Sequence, residues 1–542
     1  MNLTLAADIG PTGLGRGQST CCKLLSRCER LRLRICVLFL AMVSSLLAQT
    51  KSPSIEQPKP DFVRVQKYVQ DHMAAESVPS VAIAVGRGGE ILWEQGFGWA
   101  DRENGIKATA NTPYYLASVT KSLTGTALMV LQERRKLDLD DPVNEYLGPV
   151  KVHSPMWDAT QATVRRMATH TAGLTTYARD CVLDNPGCRI STDTAIQRYG
   201  ILFWPPGDHF DYSNLGYGIL GDVVARVSGK GYGDFLYDEI FQPLGMADCA
   251  LGVNQELRKR VAAQYDQTTH TPSPLRSSDH PGASSVRCSV HDLARFGMFA
   301  LKAHVSGQKV ILSESSRDAM VNSSVDTGDG QRYGIGWWVN PDLYGYRAVF
   351  GGGGTTDSSS DLYTIPSEGI GVAVLSNTGT TLPSKVVEEV LSEMLPKFRR
   401  EREKTAQSHE PPTDSSNATQ LPTGQKIRNF FGKWRLAGQW MGEIETWEGA
   451  VPLTMSISST QEIHTRIGSQ DGVLQQAVVE DGHVYGVVQG DVGTPDAPRS
   501  PYNLEFELYL RGDTLAGAAT TRALPGKDGA ALPYWVTLRK TP

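Results

Sequence analysis

Apolar and polar positions divide the chain into segments of different period. Residues 80–85 and 91–97 are short apolar runs separated by Gly88-Gly89, the pattern of two strands joined by a tight turn. Residues 123–131 are almost wholly apolar or small, which predicts a helix buried on every side. A shorter helix is predicted over 163–169, ending at His170-Thr171-Ala172-Gly173. Strand-like runs return at 334–339, 361–365 and 371–375, before an amphipathic helix over 384–398. Strands at both ends with helices between predict an α+β fold, an antiparallel sheet whose first and last strands meet.

Residues 401–424 lack apolar periodicity and carry charged, Pro-rich and Ser-rich stretches, which read as a linker. Beyond it, residues 425–542 alternate short apolar runs with Gly and Asp turns, as in 453–457, 476–479, 484–488, 504–510 and 535–538. That spacing predicts a small all-β barrel or sandwich. Its tryptophans, with Trp434 and Trp440 as cues, read as core rather than as a ligand box. At the other end, residues 1–48 read as a leader. Arg27, Arg30, Arg32 and Arg34 precede the apolar run 35–48, which is too short to span a bilayer. This predicts an exported protein, with an uncleaved membrane anchor as the alternative.

The chain has 542 residues, a net charge of −5, 20% charged and 40% hydrophobic residues, enough for two or more domains and without the basic excess of a nucleic-acid binder. Outside the leader, the cysteines are Cys181, Cys188, Cys249 and Cys288. Cys181 with Cys188 and Cys249 with Cys288 are the simple pairings for an oxidising compartment, with buried free thiols as the alternative. No spacing matches a zinc site, and no cofactor is called for.

Candidate chemistry begins at Ser118-Val119-Thr120-Lys121, directly before the buried helix. On a helix, the Ser118 hydroxyl and the Lys121 amine lie one turn apart on one face, close enough to share a proton. Chance supplies Ser-x-x-Lys about twice in a chain this long, and a second copy, Ser306 to Lys309, sits in a Gly-containing loop with no helix to align it. The second element is Tyr212-Ser213-Asn214 after Pro205-Pro206-Gly207. A phenol near Ser118 and Lys121 can pass a proton to a leaving group, with its anion stabilised by a neighbouring ammonium. The Asn214 amide can bond Lys121 or a substrate amide. The plain alternative is a turn tyrosine with Asn214 capping the following helix.

In order along the chain, 117–122, 137–143, 169–174, Pro206-Gly207 ahead of 212–217, 240–246 and 292–296 resemble one family. They are similar to the serine β-lactamase and penicillin-binding superfamily, in its class C β-lactamase, D,D-carboxypeptidase and esterase branch, over residues 60–398. The resemblance implies a helical subdomain beside the sheet and an acyl-enzyme on Ser118, with Lys121 and Tyr212 exchanging its proton. It implies that Asn214 positions that pair or the substrate, and that His170 is structural. The C-terminal segment resembles the small lipocalin-like domains that follow the catalytic unit in some relatives. The chain departs from the family at Phe350 to Thr356, where relatives carry Lys-Thr-Gly or His-x-Gly and this sequence has Gly351-Gly352-Gly353-Gly354. The expected cation is Gly351. The resemblance makes Gly351, Gly353 and Gly354 substrate-facing, with the backbone N–H of Ser118 and Gly354 as an oxyanion hole. Losing a cation that meets a substrate carboxylate tilts the expectation towards esters, small amides or peptides over β-lactams. A catalytically reduced protein that binds peptidoglycan or another ligand in the same cleft is the rival reading.

Overall fold

A computed structural model of the protein describes residues 60–185, 189–408, 436–458, 462–480, 482–497, 502–523 and 530–541. The leader, Cys188, Trp434 and the stretch 409–435 lie outside the described residues.

The hairpin forms as predicted. Strand Ser80–Arg87 turns through Gly88 and Gly89, at φ of 59° and 90°, into strand Glu90–Asp101, a conformation that glycine adopts without a Cβ penalty. The first strand then pairs antiparallel with Ile370–Ser376, Val81 opposite Ser376, so the two ends of the segment meet. The full sheet has nine strands, and Tyr346–Thr355 and Ser358–Ile365 lie next outward from Ile370–Ser376.

Within this strand residues 81–85 are continuously apolar, in keeping with a strand covered on both faces. Val81, Ile83 and Val85 pack against helices Val63–Ala75 and Leu382–Met394 through Val65, Val69, Val386 and Val390. Ala82 and Ala84 face the other core, with Leu293 and Phe296 of helix Val290–Ala300. Small residues on that face let the helix approach: a Cβ on Gly86 would lie 3.1 Å from the Met298 sulfur. A helical subdomain lies beyond. Its helix Thr120–Glu133 is buried from Thr120 to Leu131, matching its all-round apolar sequence.

Two boundaries differ from the sequence expectation. Residues 334–337 form a turn, with the Gly334 N–H donating to Trp337 O at 2.7 Å, and the strand starts only at Trp338. Gly336 sits at φ 79° against the Lys121 carbonyl, where any Cβ would collide. The closing helix breaks at Leu395, ahead of a proline, and a second helix, Pro396–Ser408, occupies the start of the expected linker. Two of its arginines pair with the preceding helix: Arg402 meets Glu388 and Glu389 at 2.9 and 2.8 Å, and Arg399 meets Glu393.

The C-terminal domain is one nine-stranded antiparallel sheet between Gly438 and Lys540. Its first strand, Gly438–Thr446, pairs with its last, Ala531–Lys540. Its edge strands, Gln470–Val473 and Gln475–Glu480, are joined by the single residue Leu474, so the sheet must curl until its edges are neighbours. Trp440, Ile444, Leu453, Met455, Leu504, Phe506 and Leu508 fill the interior. Trp440 is core, as expected, and its indole donates to Leu436 O. Of the cysteine pairings left open, Cys249 and Cys288 form a disulfide.

Candidate active site

Chain direction at the start of the buried helix places the Ser118 and Lys121 side chains together. Residues Ala117–Val119 form a 3-10 turn that leads into helix Thr120–Glu133, and Ala117 takes φ 43° at the entry. Ser118 stands in the first turn, where backbone N–H groups have no intrahelical acceptor. Lys121 follows one turn later with Nζ 3.0 Å from Ser118 Oγ. Ser306, the decoy, lies in an exposed turn.

Lys121 is 1% exposed. Its Nζ also lies 2.7 Å from Asn214 Oδ1 and 3.1 Å from Ala283 O. Burial pushes its pKa well below the usual lysine value, with no carboxylate among the described residues to offset the loss of hydration. As an ammonium Lys121 donates to all three oxygens; in the neutral amine two N–H groups still donate to the carbonyl oxygens of Asn214 and Ala283, which cannot donate back, and the lone pair is then free for the Ser118 hydroxyl proton. The Asn214 amide is itself oriented, since its Nδ2 donates to Tyr177 O at 3.0 Å. Asn214 is therefore part of the cluster and opens the helix Asn214–Ser228, whose N-cap is Ser213.

Tyr212 joins the same cluster. Its ring centroid is 4.7 Å from Lys121 Nζ. Burial raises the phenol well above its ordinary pKa, and the nearby Ser118 side chain only partly offsets the rise. The tyrosinate expected from a neighbouring ammonium is thus disfavoured, because burial raises the phenol and at the same time lowers the pKa of Lys121. Tyr212 stands as a neutral phenol, stacked on Trp338 at 6.2 Å. His170 is behind it, with ring centroids 4.3 Å apart, and its Nδ1 accepts from the Ser213 N–H at 3.1 Å. Burial drives the His170 pKa well below its usual value, and Lys121 adds to the effect. A neutral imidazole that accepts at Nδ1 orients the Tyr212-Ser213 backbone and is not placed as a general base for Ser118.

The glycine run is a strand segment. Gly351 to Gly354 pair with Leu362 to Ser359 on one side, whereas on the other side pairing stops at Trp338 opposite Phe350. From Gly351 onward that edge of the strand has no partner strand among the described residues. A Cβ on Gly353 would stand 2.6 Å from Ser118 N and closer still to Leu116 O, so the strand can lie against the nucleophile turn only with glycine there. Ser360 Oγ donates to Leu116 O at 2.6 Å and ties the neighbouring strand to the same turn. Gly354 is exposed, and its Cβ direction is open to 3.9 Å. Gly351 is buried and faces Ser122 and Val119, with a Cβ position 3.1 Å from Ser122 Oγ, which donates to Gly336 O at 2.6 Å. A side chain at 351 would have to displace that hydroxyl.

The profile of the beta-lactamase family matches residues 65–391, more than half of the chain. The chain belongs to the beta-lactamase family. It thereby falls in the serine β-lactamase and penicillin-binding superfamily. It is 24% identical over 337 residues to protein flp of Staphylococcus aureus (strain N315), an alignment covering 61% of this chain and 66% of flp, just under two thirds of that relative. Among solved structures, an octameric penicillin-binding protein homologue from Pyrococcus abyssi aligns with a TM-score of 0.55 and 21% identity, over 88% of this chain and 100% of that one. A class C beta-lactamase from Rhodobacter sphaeroides aligns with a TM-score of 0.51 and 21% identity, over 64% of this chain and 99% of that one. At these identities the likeness is one of fold.

The structure gathers Ser118, Lys121, Tyr212, Asn214 and Gly353 within one cluster. Three contributors were not found from the sequence: the carbonyls of Ala283 and Tyr177, and the Gly336 turn. A carbonyl carries no residue signature, so only Gly336, flanked by Ile335 and Trp337, left a trace.

Proposed function

We propose that the protein is a serine hydrolase that works through an acyl-enzyme on Ser118. The observation that carries this reading is a buried Lys121 with two carbonyl acceptors and its remaining valence 3.0 Å from Ser118 Oγ. In the forward step Ser118 Oγ bonds to the substrate carbonyl carbon, and its proton passes to Lys121 Nζ. The carbonyl oxygen becomes an oxyanion held by the N–H groups of Ser118 and Gly354, a donor pair worth about 3 kcal/mol for each N–H. Collapse breaks the bond to the leaving group, which takes a proton from the Tyr212 phenol while the Lys121 ammonium reprotonates Tyr212. Water then repeats the sequence in reverse and releases the acid.

Gly351 removes the cation that would meet a substrate carboxylate. The favoured acyl donors are accordingly esters and small amides or peptides, in the manner of an esterase, D-aminopeptidase or D,D-carboxypeptidase, with weak turnover of β-lactams. The apolar run in the leader, with its preceding arginines, supports an exported enzyme. A fluorophosphonate and a fluorescent penicillin applied to the purified protein test this reading. Labelling that disappears in Ser118→Ala supports it, and a wild type that neither reagent labels overturns it in favour of a binding protein. Turnover of nitrocefin as fast as a p-nitrophenyl acyl ester would refute the substrate preference.

A further inference from the structure

The C-terminal barrel docks on the helical subdomain behind the cluster. Trp535, Ala516 and Ala518 pack on Ile201, Phe203 and Trp204 in a separate apolar cluster. Beside it, Asp496 accepts from Tyr199 Oη at 2.5 Å, Arg198 Nη1 at 2.9 Å and Trp447 Nε1 at 3.2 Å. The domain also reaches one turn of backbone further. Ala178 and Ala531 exchange both N–H···O bonds, at 2.9 and 2.8 Å, as an isolated antiparallel bridge.

Ala178 follows Tyr177, whose carbonyl orients the Asn214 amide. Residues 174–178 belong to no helix or strand, and their only backbone-to-backbone bonds among the described residues are the two to Ala531. On the far side, the Tyr177 hydroxyl donates to Asp279 Oδ2 at 2.9 Å, in the segment that leads through His280 to Ala283, the second acceptor of Lys121. The loop that braces both acceptors is thus pinned by a strand of the other domain.

We propose that Ala531 is a positioning residue of the active site, and that the C-terminal barrel keeps Asn214 seated on Lys121 by pinning Tyr177, whose carbonyl orients the Asn214 amide. This rests on the serine-hydrolase reading for its kinetic consequence, but the bridge itself can be tested without activity. The barrel then acts on the base from behind the site, by a route that requires no cover over the cleft.

The test uses Ala531→Pro in the full chain. In an antiparallel pair both polar groups of a residue point to the same neighbour, so the Ala531 N–H faces Ala178 and is not part of the bonding to strand Thr514–Arg522. Proline is tolerated at the first position of a strand, so the barrel should keep its fold. Amide exchange in a peptide covering 174–180 should quicken by about tenfold, the effect of one lost hydrogen bond on local opening. In fluorophosphonate labelling, water reaching Lys121 lifts its pKa, so the acidic limb of the pH–rate profile should move up by about half a unit or more. Ala531→Gly, which keeps the N–H, should restore the limb. Unchanged exchange, or quickened exchange with an unmoved limb, overturns the proposal. If Ala531→Pro does not fold, Asp496→Asn loosens the same docking away from the bridge and is judged by the same two outcomes. A wild type that does not label refutes the hydrolase reading, while the exchange measurement still decides the bridge.

Discussion

Replacing Asn214 by Asp asks directly whether Lys121 is the base. The two side chains are nearly isosteric, so the change delivers a carboxylate at the 2.7 Å now separating Oδ1 from Nζ. A proton shared by the pair has a clear preference, since lysine begins from 10.5 and aspartate from 3.8. That gap of more than six units favours ammonium and carboxylate over the neutral pair, even though the Asp oxygen that replaces Nδ2 would face the Tyr177 carbonyl. An opposite charge at this range raises a lysine by about 1–3 units. Each unit costs about 1.4 kcal/mol of neutral amine, a factor of ten in the fraction able to take the Ser118 proton. Below the limb, acylation should therefore fall about 10-fold to 1000-fold and should recover as pH rises. Asn214→Ala is the comparison: it removes an acceptor and leaves the Tyr177 carbonyl unpaired without adding charge, so its loss should be similar at every pH. The assay is the pH profile of kcat/KM on a p-nitrophenyl ester, with apparent values read as belonging to the coupled pair. A limb that stays in place in Asn214→Asp, with the rate reduced evenly across pH, would show that Lys121 is not the group being titrated.

Other outcomes follow from the same geometry. Gly353→Ala should abolish labelling of Ser118 and destabilise the fold by roughly 2 kcal/mol or more, because the new methyl meets Ser118 N and Leu116 O; Gly354→Ala, with open space around it, should change the melting temperature little. Asp361 is buried and its carboxyl is pushed up to about 7 by loss of hydration, with Ser384 Oγ donating to it at 2.7 Å. Its folded pKa lies above the unfolded one, so the native state binds the extra proton between about pH 4 and 7 and stability should fall as pH rises through that window. From pH 5 to 8 the loss should be about 2–3 kcal/mol, and chemical denaturation of Asp361→Asn should show that dependence flattened. His170→Asn should lower the acylation rate by disturbing Ser213 while leaving the shape of the pH profile unchanged; a lost limb would instead make the imidazole the base.

Some of this was legible before any coordinates. The apolar runs of 80–85 and 371–375 identified strands, and their position at the two ends of the segment implied that they pair. The largely apolar 123–131 run implied a buried helix. Ser118 and Lys121 are close because they are one helical turn apart, a local relation that spacing alone supplies. Misreadings arose where composition stood in for contact. Glu401 and Arg402 read as linker because charge without periodicity favours disorder, yet Arg402 finds Glu388 and Glu389 on the preceding helix. Trp337 and Trp338 read as one strand because period alone cannot register that Gly336 is pressed against Lys121.

The sequence by itself determined the elements, the nucleophile turn and the set of side chains that belong with it, because these depend on short spacings and apolar period. Tertiary structure decided their chemical state. Whether Lys121 is a base or a cation depends on the Asn214, Ala283 and Tyr177 groups that surround it, and whether Tyr212 ionises depends on the same desolvation. Those groups come from segments distant along the chain, two of them as backbone carbonyls, and the solvent they exclude is a property of packing that no local pattern records.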